Sequence, residues 1–202
     1  MPFWATHSGI FRDGNIGNRD NRGEERRMND DIDGRFAQGW GGSAPNGVHV
    51  NVLLARRGSP TAASITTAFT APRAGFTPIL ACVGESQQHY VTVNPPTVIL
   101  SKSFAEEGGM VETVIFGAAQ VGIAQGVLDA VAAGVVSGDQ DTLVFVSLWI
   151  DPACDDETAV KHAAREAAAS AISEAATGLS AEVRAAQVAA RDTLTHPFYG
   201  GA

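Results

Sequence analysis

From Val48 the chain alternates with a period of two: Val48, Val50, Val52 and Leu54 on one parity, His49 and Asn51 on the other. A run of β-branched residues at that period predicts a half-buried strand over 48–54. Alternate side chains share a face, so His49 and Asn51 stand side by side, opposite the valines. Gly47 opens the run as a turn, and Arg56-Arg57-Gly58 closes it. Ser59-Pro60 then predicts a helix start, with serine as the N-cap and proline at the first helical position. Spacing alone is compatible with a solvated histidine on an edge strand and with an imidazole placed for chemistry.

The rest of the chain supplies the layers around this strand. Pro60 to Thr70 reads as a short helix, weakened by Thr66, Thr67 and Thr70, and Thr77 to Val83 as an apolar strand. Tyr90 to Leu100 is extended but broken at Pro95-Pro96, which cannot donate to a ladder and so mark an edge or a kink. Residues 110–136 predict one long helix, ending at Gly134. Between Phe116 and Leu128 its only polar side chains are Gln120 and Gln125. A helix apolar nearly all round is buried on more than one side. Gly117, Gly122 and Gly126 each weaken it by about 1 kcal/mol relative to Ala, which calls for compensation by close backbone approach. Gln120 needs partners there, since an unpaired buried amide costs roughly 1–3 kcal/mol. It is either a satisfied structural amide or a ligand-facing one.

Leu143 to Ile150 is the strongest strand pattern, stopped by Asp151-Pro152. Asp155, Asp156 and Glu157 suit a helix N-terminus, where carboxylates favour the macrodipole. A metal site there lacks a His or further carboxylate at ligand spacing. Ala159 to Ala176 predicts an alanine-rich helix and Ala181 to Leu194 another. Strands, a buried helix, a strand, then helices predict an α+β, two-layer domain with helices packed on one sheet.

Composition changes this picture mainly at the N-terminus. Residues 1–36 hold six of the 14 basic residues, all arginines, against seven acids, with too few apolar positions to define a buried face. They are expected to be a flexible arm preceding a domain over 37–202. The net charge of −8 argues against a general nucleic-acid or anionic-membrane surface. No signal-peptide core or uncharged bilayer-length stretch is evident, and Cys82 and Cys154 fit no metal spacing. A cytoplasmic protein with reduced thiols is the expectation.

Several motifs in order carry a resemblance. They are Val48-His49-Val50-Asn51, then Ala55-Arg56-Arg57-Gly58-Ser59-Pro60, and Ala74-Gly75-Phe76-Thr77. Phe116-Gly117-Ala118-Ala119-Gln120-Val121-Gly122, Asp129-Ala130-Val131-Ala132-Ala133-Gly134 and Thr195-His196-Pro197-Phe198 follow. This set resembles the formaldehyde-activating enzymes, which condense formaldehyde with tetrahydromethanopterin, and spans roughly residues 38 to 202. The resemblance implies a two-layer fold of the ribosomal-protein-like βαβ type. It also implies a ring-shaped homopentamer with active sites between subunits, formaldehyde and a reduced pterin as partners, and no metal.

Residue by residue, the resemblance places the catalytic histidine at His49 and substrate-binding positions at Asn51, Leu80, Lys102, Phe104 and Gln120. Two depart from the family. Its aspartate two residues after the histidine is Asn51 here, and its threonine two after the lysine is Phe104. The connection between Leu80 and Lys102 is also about four residues longer. The chemistry needs no nucleophilic Ser or Cys. An amine adds to formaldehyde, the carbinolamine loses water, and a second amine closes the methylene bridge. The slow step calls for a proton donor with a pKa near ambient, and histidine is the usual choice. Without the carboxylate at position 51, His49 is expected to be less protonated at neutral pH. The expected function is a lyase forming 5,10-methylene-tetrahydromethanopterin and water. The alternative is a non-catalytic, pterin-binding or formaldehyde-sensing paralogue.

Overall fold

The computed structural model describes residues 32–71, 78–102 and 109–196. Strands β1 (Phe36–Gly41), β2 (Val48–Arg56), β3 (Pro78–Leu80), β6 (Thr97–Ser101) and β7 (Thr142–Ile150) form one sheet in the order β1-β2-β7-β6-β3. Only β6 and β7 run parallel, joined by the long helix α2 (Met110–Ala132). Strands β4 (Cys82–Val83) and β5 (Val91–Thr92) make a separate pair. Helix α1 (Pro60–Thr70) follows β2, and α3 (Glu157–Thr177) and α4 (Ala181–Ala189) follow β7. The expected α+β, two-layer arrangement is the one observed.

The alternation read from sequence decides the layering. Val48, Val50, Val52 and Leu54 of β2 and Val144, Val146, Leu148 and Ile150 of β7 are fully buried. They pack under α2 and α3, whose contributions include Ile123, Val127, Ala164, Ala168 and Ile172. Fully burying each such aliphatic side chain is worth roughly 1.5–3 kcal/mol. On the other face Ala55 packs with Ala62 and Ile65 of α1, against Leu53, Leu143 and Phe145. Thus α1 covers one end of that face. His49 and Asn51 lie toward its other end.

Glycine and alanine set how closely the layers approach. A Cβ on Gly122 would sit 2.2 Å from the Lys161 carbonyl oxygen, and one on Gly126 would sit 2.6 Å from that of Arg165. The expected close approach is therefore of α2 on α3. Gly117 has no atom within 4 Å of a built Cβ and has no such reason. Alanines of α3 also admit β1, where a Cβ on Gly39 would meet the Ala167 oxygen at 2.1 Å. Helix α2 is long and apolar enough to cross a membrane by length and composition. Here its inner face, with Ile123, Ala124, Val127 and Ala130, is core.

Several boundaries differ from expectation. β2 is an interior strand, between β1 and β7, not an edge. The strand expected over 77–83 breaks at buried Ala81, whose N–H donates to Thr97 O while its own carbonyl accepts from Val93 N–H. The chain then leaves the main sheet for β4. Pro95-Pro96 mark a kink rather than an edge, since β6 lies between β7 and β3. α2 stops at Ala132 and widens into π-type turns over Ile115–Ala119. α4 ends at Ala189, five residues short of Leu194, and a 3₁₀ turn (Arg191–Thr193) follows.

Residues 32–36, the last of the arginine-containing segment, are tied to the domain. Ile32 is in the core cluster. Asp33 accepts from Arg56 N–H at 2.8 Å and from Thr61 Oγ1 at 3.0 Å, and Arg35 donates to Ala176 O at 2.7 Å.

Candidate functional site

The open face of the sheet brings residues together in cross-strand rows. Trp40 of β1 is opposite His49, and His49 is opposite Trp149 of β7. The parallel ladder continues with Ser101 beside Leu148, and Lys102 N–H donates to Leu148 O at 2.7 Å. That places Lys102 alongside Trp149. The row therefore reads Trp40, His49, Trp149, Lys102. The next row reads Gln38, Asn51, Ser147, Leu100.

His49 is half-buried and walled by aromatic rings. Trp40 lies 5.9 Å from it, centroid to centroid, and stacks on Trp149 at 5.8 Å and 29°. Trp40 is 52% exposed. Its ring is held by an Nε1–H bond to Gly42 O at 3.2 Å and by contact with Gly47, where a Cβ would come within 3.0 Å of Cζ2. Nε2–H of His49 donates to Oε1 of Gln38 at 3.0 Å. With Gln38 Oε1 as the acceptor, the ring carries its proton on Nε2 and presents Nδ1 as an acceptor.

Burial is the main cause of a lowered His49 pKa, and the nearby Lys102 charge lowers it further. Burial likewise lowers that of Lys102. Both effects disfavour the charged forms. Neutral pH therefore finds His49 mainly as free imidazole. The causes are burial and Lys102, and a neutral ring of this kind can accept a proton before it gives one. In these two rows His49 and Lys102 are the only ionisable side chains.

The remaining predicted positions are distributed differently. Leu80, 40% exposed, is on the same open face and pairs with Val98. It is four residues along from the Lys102 position, about 13 Å at roughly 3.3 Å per residue. Gln120 belongs to the helix layer, behind the sheet as seen from His49. Its Nε2 donates to Phe116 O at 2.8 Å and its Oε1 accepts from Cys82 N–H at 3.2 Å. Its amide is satisfied structurally, filling the π-type turn and holding β4. Phe104 lies outside the described residues, as do most of the 1–36 arm, residues 74–77 and residues 197–202.

Sequence reasoning missed Gln38, Trp40, Ser147 and Trp149. Strand β1 escaped notice because its inner face is Ala37, Gly39 and Gly41, small for α3 rather than apolar and bulky. Trp149 and Ser147 sit on the outward parity of the strongest strand, but register with His49 is not written in local pattern.

Comparison with known proteins bears directly on this face. The sequence model of the formaldehyde-activating enzyme (Fae) family matches residues 40–199. A 5,6,7,8-tetrahydromethanopterin hydro-lyase of Methanosarcina barkeri is 31% identical over 159 residues, covering 78% of this chain and 85% of that protein. A bifunctional enzyme Fae/Hps of Methanocella arvoryzae is 32% identical over 114 residues, 55% of this chain but only 28% of that protein. A second, of Methanothrix thermoacetophila, is 27% identical over 121 residues, 59% of this chain and 30% of that protein. The matched region holds every residue of the two rows except Gln38, and on these grounds the chain belongs to the formaldehyde-activating enzyme family.

Proposed function

We propose that this protein is a lyase that condenses formaldehyde with tetrahydromethanopterin, giving 5,10-methylene-tetrahydromethanopterin and water. The observation that carries the reading is His49: a half-buried imidazole bonded to Gln38 and in register between two tryptophans, at the position the resemblance gives to the family's catalytic histidine. In the reaction a carrier amine attacks the aldehyde carbon. His49 Nδ1 takes the proton shed by that nitrogen and returns it to the hydroxyl that leaves as water. Trp40 and Trp149 supply apolar walls that keep the reacting atoms away from bulk water. Holding carrier and aldehyde together makes the encounter effectively unimolecular.

We further propose that the complete site needs more than one copy of the chain. Within one chain, Gln120 is behind the sheet and Leu80 is far along it, while Phe36, Trp40 and Leu80 expose apolar surface on the open face at 71%, 52% and 40%. A homo-oligomer, the family's pentamer, would bring another copy's residues to His49. A second reading, a non-catalytic pterin-binding or formaldehyde-sensing paralogue, draws on Asn51, where the family has a carboxylate. Measuring methylene-carrier formation with and without the protein separates the two. Acceleration that His49→Gln removes supports the lyase; tetrahydromethanopterin binding without acceleration supports the paralogue.

A further inference from the structure

Lys102 stands on the open face, in the row that holds His49. Its backbone is anchored to β7 through Leu148 O, and its side chain is half-buried beside Trp149. Among the described residues no carboxylate or hydrogen-bond acceptor engages its Nζ. The polar residues of the two rows, Gln38, Asn51 and Ser147, are all neutral. His49 is two strands away, about 10 Å between Cα atoms at roughly 4.8 Å per strand, and the four-carbon lysine stem crosses much of that span. A lysine used only to hold an anion suits an exposed, fully charged ammonium. This one is half-buried, in a row whose other ionisable side chain is His49.

We propose that Lys102 captures formaldehyde covalently, as an N-methylene iminium, before the one-carbon unit passes to the carrier. The proposal rests on the reading of formaldehyde as a substrate. The free amine lone pair attacks the aldehyde carbon, and the carbonyl π pair moves to oxygen. His49 Nδ1 removes one proton from the attacking nitrogen and delivers it to that oxygen; solvent supplies a second. The C–O bond then breaks, water leaves, and the nitrogen lone pair forms the C=N⁺ bond. Amine, formaldehyde and one proton thus give iminium and water, with no oxidant or reductant. A carrier amine then attacks the iminium carbon, and its proton passes to the lysine nitrogen. The carbon–lysine bond breaks as the carrier nitrogen lone pair forms the new C=N⁺ bond, which transfers the carbon and restores Lys102 as a neutral amine. Burial of the amine, which keeps more of it uncharged, supports the first step.

The chain carries its own control, because Lys161 is its only other lysine. The test treats the full-length protein at neutral pH with sub-stoichiometric formaldehyde and cyanoborohydride, which turns an iminium into a methylamine. Peptide mass mapping then gives the rate at each lysine. The expected result is methylation of Lys102 on the order of tenfold faster than Lys161, with His49→Gln slowing Lys102 by about 10²-fold and leaving Lys161 unaffected. Equal labelling of the two lysines, or a Lys102 rate indifferent to His49→Gln, would overturn the proposal. Lys102→Arg adds a second arm by retaining the cation without the nucleophile. Retained tetrahydromethanopterin binding with loss of formaldehyde-dependent turnover is expected; full turnover would overturn capture while leaving the lyase reading intact. Preferential Lys102 labelling without any acceleration of methylene-carrier formation would have the opposite meaning: capture stands and the lyase reading fails.

Discussion

His49 and Lys102 share one row of the open face, two strands apart, with Trp149 between them. They are far apart in sequence and of the same charge type when protonated, yet each sits where charge is disfavoured. For His49 the larger cause is burial and the smaller is Lys102. Burial thus favours the uncharged form of His49 and shifts Lys102 in the same direction, on one face of the sheet.

Trp40 is expected to control that neutrality from the solvent side. Trp40→Ala opens the imidazole to water, so the His49 pKa rises toward its ordinary value. Activity that depends on free imidazole is then lost at a higher pH on the acid side. Trp40→Phe, which retains a ring over His49, should restore most of the profile. An NMR titration of the His49 ring, identified by its absence in His49→Gln, measures the shift directly. An unchanged His49 titration in Trp40→Ala would remove Trp40 from this role.

Gly122 and Gly117 of α2 should respond to alanine with opposite signs. Alanine is the better helix former by about 1 kcal/mol, and at Gly117 nothing within 4 Å opposes it. Gly117→Ala should therefore be neutral or stabilising by up to about 1 kcal/mol. At Gly122 the new Cβ meets the Lys161 backbone oxygen at 2.2 Å, so α2 and α3 must separate, costing about 1–3 kcal/mol. Urea midpoints of the two variants check this; equal shifts would mean that the helix contact yields freely.

Much of this architecture was legible in the chain because burial and period coincide. Val48, Val50, Val52 and Leu54 alternate with His49 and Asn51 and form a strand with the expected face inward, and the apolar run from Leu143 to Ile150 forms another. The acids at 155–157 proved to be a helix start, with Asp156 Oδ1 accepting from Thr158 and Ala159 N–H. β1 was not legible, because its buried face consists of small residues chosen for what α3 presents. Nor was the division of site residues between layers. Local pattern places Gln120 on an apolar helix, but which side of the sheet that helix covers is a property of the crossover from β6 to β7.

Asp33 ties residues 32–36 to the start of α1 and the end of β2. Burial alone would raise its pKa, but hydrogen bonds from Arg56 N–H and from Ser59 and Thr61 outweigh that and hold it below the usual carboxylate range. A carboxylate with a lowered folded pKa adds stability above its unfolded pKa, and that stability is lost as pH falls through the folded value. Asp33→Ala leaves the Arg56 N–H without this acceptor and should cost about 1–3 kcal/mol near neutrality, with a smaller cost in acid. Truncation before residue 32 should spare this contribution; truncation after residue 36 should remove it. Thermal unfolding of the two truncations decides the boundary, and equal stability of both would place Asp33 outside the cooperative unit.

Asn51 stands where the family resemblance leads one to expect a carboxylate. It lies in the row beside His49, with their Cβ atoms roughly 6–7 Å apart along one strand, and between Gln38 and Ser147. Restoring a carboxylate with Asn51→Asp places a negative charge near both bases and favours their protonated forms. A raised His49 pKa means that the ring remains protonated to higher pH, so the acid limb of the rate profile moves toward neutrality. Lys102 is drawn the same way, so its labelling by formaldehyde at neutral pH should slow while Lys161 is unaffected. Carrier binding should change by a different factor, because Asn51→Asp keeps the shape of that proposed binding position while its charge acts on both bases. The measurements are rate against pH, Lys102 methylation and tetrahydromethanopterin titration on the same variant. An acid limb that stays in place, with Lys102 labelling undiminished, would mean that the charge at position 51 does not govern either base.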